Sequence, residues 1–444
     1  MTDPRQPNRS PLRAILDIRR DELPLAALMF TYFFLVITSF WILKPIKKAL
    51  FVQYYDRSGF TLLGWTMSAS QAELLAKVLN MVVAIFAVAV FTWLARRYRR
   101  QQLTYLFCLF FLLSYLAYTP IIEEPGDVVV WSFYLFGDLF STLMVATFFA
   151  FLNDSVTPGA ARRLYGLIVL GGVSGGVFGA TTVRALIASL TNAEWLWVCA
   201  GILVLIVVVA WAAARFVQDT ALPGAEDRSN ESAAGNVALE GAQIVFKSPY
   251  LLSIAGIVGF YEIVSTVMDF QFTSSVAHYL EGPAIGQHFA TVFALTNGVS
   301  LFVQIVLTGY IMTNVGVGAA LMVLPMMAFG GSLGFAVLPA LWMGSALNTI
   351  DNAFSYSINQ SAREALYTPT TAAEKYKAKA FIDMFVQRFA KAVAVGVSLV
   401  ITTYFTDFSS IRWLSLFTAA VIVVWVIVAH HAGEHFARVT ERSP

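Results

Sequence analysis

The chain has 444 residues, 58% of them apolar, 14% aromatic and only 13% charged, with a formal net charge of +2. Soluble globular domains run at about 45–50% apolar and about 25% charged, so this composition excludes a soluble protein. A balance of 29 basic against 27 acidic residues gives no sign of a nucleic-acid partner.

The apolar residues gather into blocks of about 20, the length that crosses a hydrocarbon core of about 30 Å. In chain order the blocks predict twelve transmembrane helices, at 25–43, 72–95, 103–120, 128–152, 164–190, 195–216, 250–271, 288–311, 315–337, 340–358, 379–405 and 411–430. A barrel would show short alternating strands instead. The reading is an all-α polytopic membrane protein in a lipid bilayer. No small-residue cleavage site follows the first block, so it is read as retained. Cys108 and Cys199 fall inside spans and read as small apolar fillers, with no disulfide framework.

Lys and Arg in short loops set orientation. Arg5, Arg9, Arg13, Arg19 and Arg20 precede the first span, "ARRYRR" follows the second, Arg162 and Arg163 follow the fourth, and Arg363, Lys375 and Lys377 follow the tenth. The alternate loops "EEPGD", "FTSSVAHYLEGPAIGQ" and "TDFSS" contain neither. Both termini are therefore expected in the cytoplasm, which in a bacterium means an inner-membrane protein. One segment breaks the rule. The end of the first span, "FWILKPIKKALF", carries Lys44, Lys47 and Lys48 on the side that ought to lack them.

A polar stretch, "QDTALPGAEDRSNESAAGNVALEGAQ", separates six spans from six. The expected organisation is a cytoplasmic segment 1–24, a first half 25–217, a linker 218–249, a second half 250–430 and a cytoplasmic tail 431–444. The halves echo each other: "NDSVTPGAARRLYGLI" follows the fourth span and "NQSAREALYTPTTAAEKYKAKAFI" the tenth. Thr-Pro is a common helix start, but the matched positions favour a true repeat. Two parallel six-span repeats are the plan of major-facilitator transporters. The segment "GGVSGGVFG", Gly171–Gly179, is not a phosphate-binding loop; its Gly-x-x-x-Gly spacing reads first as close helix packing.

A charge near a helix centre costs about 2.5–3.5 kcal/mol on insertion scales, so such residues need a partner or a task. Asp138, in "FYLFGDLFSTLM", is too short to reach the headgroups; a salt bridge and a functional role are equally open. Glu262 and Asp269 lie seven apart on one helical face; Glu262 needs a partner, and Asp269 can sit at the outer interface. Arg184 reads as a pairing residue. Asp351 reads as either a gate residue or an interfacial charge. Lys379 and Asp383, four apart, can pair, whereas Arg388 and Lys391 enter the apolar run. If the first helix continues past Pro45, its lysines lie inside the membrane; a collar at the outer headgroups is the alternative. A cation cluster in a proline-broken helix suits a polyanion, because Lys binds phosphate as a point charge. Cations are at least as numerous as acids at membrane depth, which favours an anionic solute.

The chain resembles the nucleotide transporter family of ATP/ADP antiporters over most of its length. The segment "LKPIKKALFV" is similar to that family's Leu-Arg-Asp-Thr-Lys-Asp-x-Leu-Val-Val, with Lys47 on its functional lysine and Lys44 on the arginine. Asp138 and Glu262 fall on two functional glutamates. The segment "ALYTPTTAAEKYKAKAFIDM" is similar to Tyr-x-Pro…Glu-x-Lys-x-Lys-x-Lys-Ala-x-Ile-Asp, with Lys379 on a second functional lysine. The resemblance implies a major-facilitator-like fold, Lys47 and Lys379 on phosphate, and Asp138 and Glu262 in charge balance and gating. Lys44 and Arg388 join the expected substrate-binding set, and Arg184 and Asp383 the balancing set. Lys48, Pro45 and the shorter Asp138 depart from the family pattern and bear on the solute.

The expected activity is secondary transport by alternating access, exchanging ATP for ADP plus phosphate or a relative. A proton-coupled carrier for another phosphorylated or anionic solute is the alternative, and a scaffold that has lost transport is a third reading that the buried charges disfavour. No enzyme is expected: the five histidines form no chelating set in the spans, and "HAGEH" lacks the metalloprotease order. No cofactor, no metal and no obligate protein partner is implied.

Overall fold

The computed structural model describes residues 22–156, 158–218 and 234–441. The N-terminal arginines, Thr157 and the side chains of Arg162, Arg163 and Lys375 lie outside the described residues. Among those described, eleven helices are long and apolar enough to cross a membrane. The chain is an all-α, multi-pass membrane protein.

Helix α1 (Leu23–Tyr55) does not end at Leu43 but runs through Pro45. Beyond the proline, Ala49, Leu50, Phe51 and Val52 are all buried. Backbone groups in apolar surroundings need internal partners, so the helix continues past the one amide that proline removes. Next comes a hairpin that the sequence did not announce, β1 (Phe60–Leu62) and β2 (Trp65–Met67), antiparallel with Leu62 opposite Trp65. Its turn residues Leu63 and Gly64 have φ of 51° and 82°, the left-handed pair that a two-residue hairpin turn of the I′ type demands.

Helices α2 (Ala69–Arg97), α3 (Arg100–Tyr118), α4 (Asp127–Ser155), α5 (Pro158–Leu186) and α6 (Asn192–Gln218) match the second to sixth expected spans. Helix α7 (Ala234–Lys247) lies within the expected linker. Then come α8 (Pro249–Tyr279), α9 (Pro283–Phe302), α10 (Gly309–Asn314), α11 (Val317–Val337), α12 (Leu341–Phe354), α13 (Gln360–Leu366), α14 (Ala372–Phe381), α15 (Gln387–Tyr404) and α16 (Arg412–Glu441). Turns of π-helix at Val303–Thr308, Ser355–Asn359 and Ile382–Val386 join α9 to α10, α12 to α13 and α14 to α15.

Besides the end of α1, three features differ from expectation. The loop expected at 272–287 shrinks to 280–282, because α8 runs on to Tyr279 and α9 starts at Pro283. The tail expected from 431 is helical to Glu441. The tenth expected span is helical, yet it falls outside the eleven, because Asn348, Asp351, Asn352 and Asn359 make it polar.

The chain divides into two compact units, Met1–Lys48 with Val82–Asp227, and Ala49–Met81 with Arg228–Pro444. The units therefore differ from the sequence halves at one place: residues 49–81 group with the second.

In the first unit the glycines of α5 seat α1. A Cβ at Gly171 would lie 2.6 Å from the Phe30 carbonyl oxygen and one at Gly179 2.6 Å from that of Thr38, while one at Gly175 would collide with Phe34. Thr38 Oγ1 donates to the Gly175 carbonyl at 3.2 Å. The Gly-x-x-x-Gly spacing is thus a helix-packing face. Phe33 and Phe148 stack at 4.5 Å beside it.

In the second unit α8 is the hub, packed by α12, α15 and α16. Gln271 Nε2 donates to Ser415 Oγ at 2.8 Å and to the Ile411 carbonyl at 3.3 Å. Helix α7 packs on α14: a Cβ at Gly241 would collide with the Lys377 carbonyl, and Lys377 pairs with Glu240 at 2.5 Å.

Gly175→Ala is expected to lower the melting temperature of detergent-purified protein, since overpacking costs about 1–3 kcal/mol. Gly166→Ala, whose methyl meets nothing within 4 Å, is the control and should leave it unchanged. Equal melting temperatures for the two would remove the packing argument.

Candidate functional site

In the first unit the site is built around Lys47. The uninterrupted course of α1 carries this residue into the interior, where it is 4% exposed. Its ammonium pairs with the Asp138 carboxylate on α4. It also donates to the Tyr134 carbonyl at 3.4 Å and stands 4.4 Å from the Tyr134 ring centre. Gly137 leaves room for its stem: a Cβ there would meet Lys47 Cδ at 2.5 Å. The run "FYLFGD" therefore supplies a ring and carbonyl, a gap and a counter-ion within two turns. Lys44 lies 4.5 Å from the Trp41 ring centre, a cation–π contact, and Lys48 is buried. Lys47 and Lys48 are thus buried side chains, whereas a headgroup collar would leave them exposed.

In the second unit α8 turns Glu262, Ser265 and Asp269 to one face, at the i, i+3, i+7 spacing of a helix. Glu262 faces Lys391 on α15 at 3.7 Å. Ser265 Oγ donates to the buried Asp351 on α12 at 2.6 Å. Asp269 is not an interfacial charge: it pairs with Lys77 of α2 and accepts from Asn348 Nδ2 at 3.2 Å. Lys77 is also 3.0 Å from Glu73, one turn earlier on α2 and 0% exposed.

Other expected pairings are rearranged. Lys379 pairs with Glu364 at 2.6 Å rather than with Asp383, and its ammonium lies 5.9 Å from the Tyr367 ring centre. Asp383 falls in the π turn between α14 and α15, which offsets the regular four-residue register. Burial pushes the hydroxyl pKa of Tyr367 up, with the Asp383 carboxylate adding to it, so this phenol stays neutral. Arg388 Nη1 donates to the Met81 carbonyl at 3.0 Å. Arg184 is exposed in the last turn of α5, where a cation suits the helix dipole; it balances none of the acids named here.

Sequence reasoning missed Glu73, Lys77, Tyr134, Asn348 and Glu364. The Glu73/Lys77 spacing of four was the available signal.

The TLC ATP/ADP transporter model matches residues 127–339 and 335–436. The chain belongs to the TLC ATP/ADP transporter family. It is 22% identical to the plastidic ATP/ADP-transporter of Solanum tuberosum, over 94% of this chain and 73% of that one. It is 23% identical to ADP,ATP carrier protein 1, chloroplastic, of Arabidopsis thaliana, over 68% of this chain and 53% of that one. The chain thus spans about half the length of most curated relatives it matches. Among solved structures, the nucleoside transporter NupG superposes with a TM-score of 0.63 at 13% identity, over 93% of this chain and 100% of that one. The Major Facilitator Superfamily transporter FucP superposes at 0.50 and 12%, over 93% and 99%. The fold of this family member is major-facilitator-like.

Removing one partner of a buried ion pair costs about 3–5 kcal/mol, whereas replacing both with apolar groups is often neutral. Lys47→Met and Asp138→Leu should each lower thermal stability, and the double variant should recover most of the loss, with a coupling of about 0.5–3 kcal/mol. Additive losses in the melting temperature would show that the two side chains act independently.

Proposed function

We propose that the protein is a secondary transporter that exchanges nucleoside di- and triphosphates across a membrane by alternating access. The observation that carries this reading is the buried Lys47, held by Asp138 and flanked by Lys44 and Lys48 on the same helix. Membership of a family described as ATP/ADP transporters supports it. The protein is a carrier, not an enzyme.

The proposed roles follow from charge. A phosphate group offers an ammonium a stronger anionic partner than a single carboxylate. An incoming nucleotide therefore competes with Asp138 for Lys47, and with Glu364 for Lys379. Glu262 holds Lys391 in the same manner. When the solute leaves, the carboxylates take the lysines back, so no ammonium is left bare in a low-dielectric site. Lys44 adds a second phosphate contact, and Arg388 a contact reached by leaving the Met81 carbonyl. Asp383 balances Lys379 electrostatically. Both termini lie in the cytoplasm of a bacterial inner-membrane protein, with the six-helix halves at 25–217 and 250–430 joined by the linker 218–249.

A second reading is favoured by one feature. The Glu73, Lys77 and Asp269 group places two carboxylates about one ammonium, and a carboxylate so placed can carry a coupling proton. That would suit a proton-coupled carrier for a different anion.

Proteoliposomes loaded with ADP are expected to take up labelled ATP, and both Lys47→Ala and Lys379→Ala should reduce uptake at least tenfold. No uptake by folded wild-type protein across a panel of nucleotides would overturn nucleotide exchange. Uptake driven by a pH gradient without internal counter-solute would establish the second reading.

A further inference from the structure

In the π turn at Ser355–Asn359 one side chain is out of keeping with its neighbours. Ser355, Ser357, Ile358 and Asn359 are buried, whereas Tyr356 is 56% exposed. The Gln360 N–H donates to the Ser355 carbonyl, five residues back rather than four. The turn thus holds one residue more than a regular helical turn, a feature frequent at functional sites. The residue it turns outward is an aromatic one.

An exposed tyrosine in a membrane protein can simply face the lipid interface. The surroundings of Tyr356 argue otherwise. The charged groups that act on its hydroxyl are Asp351, Lys391, Asp269 and Glu262. Four such groups do not gather against hydrocarbon, so the ring opens on a polar space. Lys391 borders the same space: its side chain is 38% exposed and stands 3.7 Å from Glu262. An accessible ring and an accessible ammonium therefore lie together in the second unit.

Tyr261 supplies the contrast. It has Asp351, Glu262 and Tyr356 as electrostatic neighbours, but its ring is already engaged. The Trp425 ring lies 6.1 Å from it and the Arg363 guanidinium 5.8 Å. Among the described residues, no ring and no cation stands against the Tyr356 ring. Its π face is thus available to a solute.

The chemistry that matches is a planar ring and an anionic group carried by one molecule. Nucleobases stack on aromatic side chains whatever their identity, because every base has a π face. Phosphate groups draw an ammonium. We propose that Tyr356 is the base platform of the solute site, where the nucleobase stacks beside the Lys391 ammonium. The inference rests on the nucleotide reading and deepens it. Lysines recognise only phosphate, and Tyr356 is what lets the carrier tell a nucleotide from free polyphosphate.

The test measures dissociation constants by calorimetric titration of the detergent-purified full chain. The two probes are ATP and inorganic tripolyphosphate, which keeps the triphosphate chain and lacks the base. Wild type should bind ATP at least tenfold tighter than tripolyphosphate. Tyr356→Leu should weaken ATP binding about tenfold, the usual worth of a base–aromatic stack, and leave tripolyphosphate within twofold. Tyr356→Trp keeps a ring and should hold ATP affinity within threefold. Because the side chain is exposed, the melting temperature of Tyr356→Leu without solute should match that of wild type. The platform is overturned if wild type binds the two probes equally, if Tyr356→Leu weakens both alike or neither, or if Tyr356→Trp loses as much as Tyr356→Leu. In each of those cases binding of ATP by wild type leaves the nucleotide reading standing. Wild-type protein that binds neither probe would overturn both.

Discussion

The cost of a charge in hydrocarbon is the constraint on which the rest of the structure depends. Placing Lys47 in the interior is unfavourable by a few kcal/mol unless a counter-ion is supplied. The first unit supplies one from α4, and the details of that helix reflect it. Asp138 gives the charge, Gly137 the space and Tyr134 the ring and carbonyl. The glycine face of α5 then brings a further helix close against α1 on the segment that leads to the lysines. The buried lysine and the close helix packing are two consequences of one requirement, that α1 run deep and unbroken.

The second unit meets the same constraint in a different way. Its cations are spread over α2, α14 and α15, and α8 presents a row of oxygen groups, Glu262, Ser265 and Asp269, to meet them or their neighbours. The π turns serve this layout. Each widens a rod by one residue and re-aims the next turn of helix, as at Asp383, and such bulges are frequent at functional sites. Asn348 and Asp351 lie within two turns of the bulge at Ser355–Asn359. Their polarity is why this helix falls short of an ordinary membrane span.

By itself the sequence determined the class of fold. Blocks of about twenty apolar residues admit only helices in a bilayer, because helices alone satisfy every backbone group within one segment. It also singled out Lys47, Asp138, Glu262 and Lys379, since charges in such blocks are rare and costly. Tertiary structure decided their partners. Lys379 meets Glu364 and not Asp383, because a π turn shifts the register. Asp269 pairs with Lys77 and is not a surface charge, because α2 comes from a distant part of the chain to meet it. Arg184, deep by residue count, is exposed because α5 ends at Leu186. Depth along a helix can be read from a sequence, but which face meets which neighbour depends on packing between helices hundreds of residues apart, and no local pattern records it.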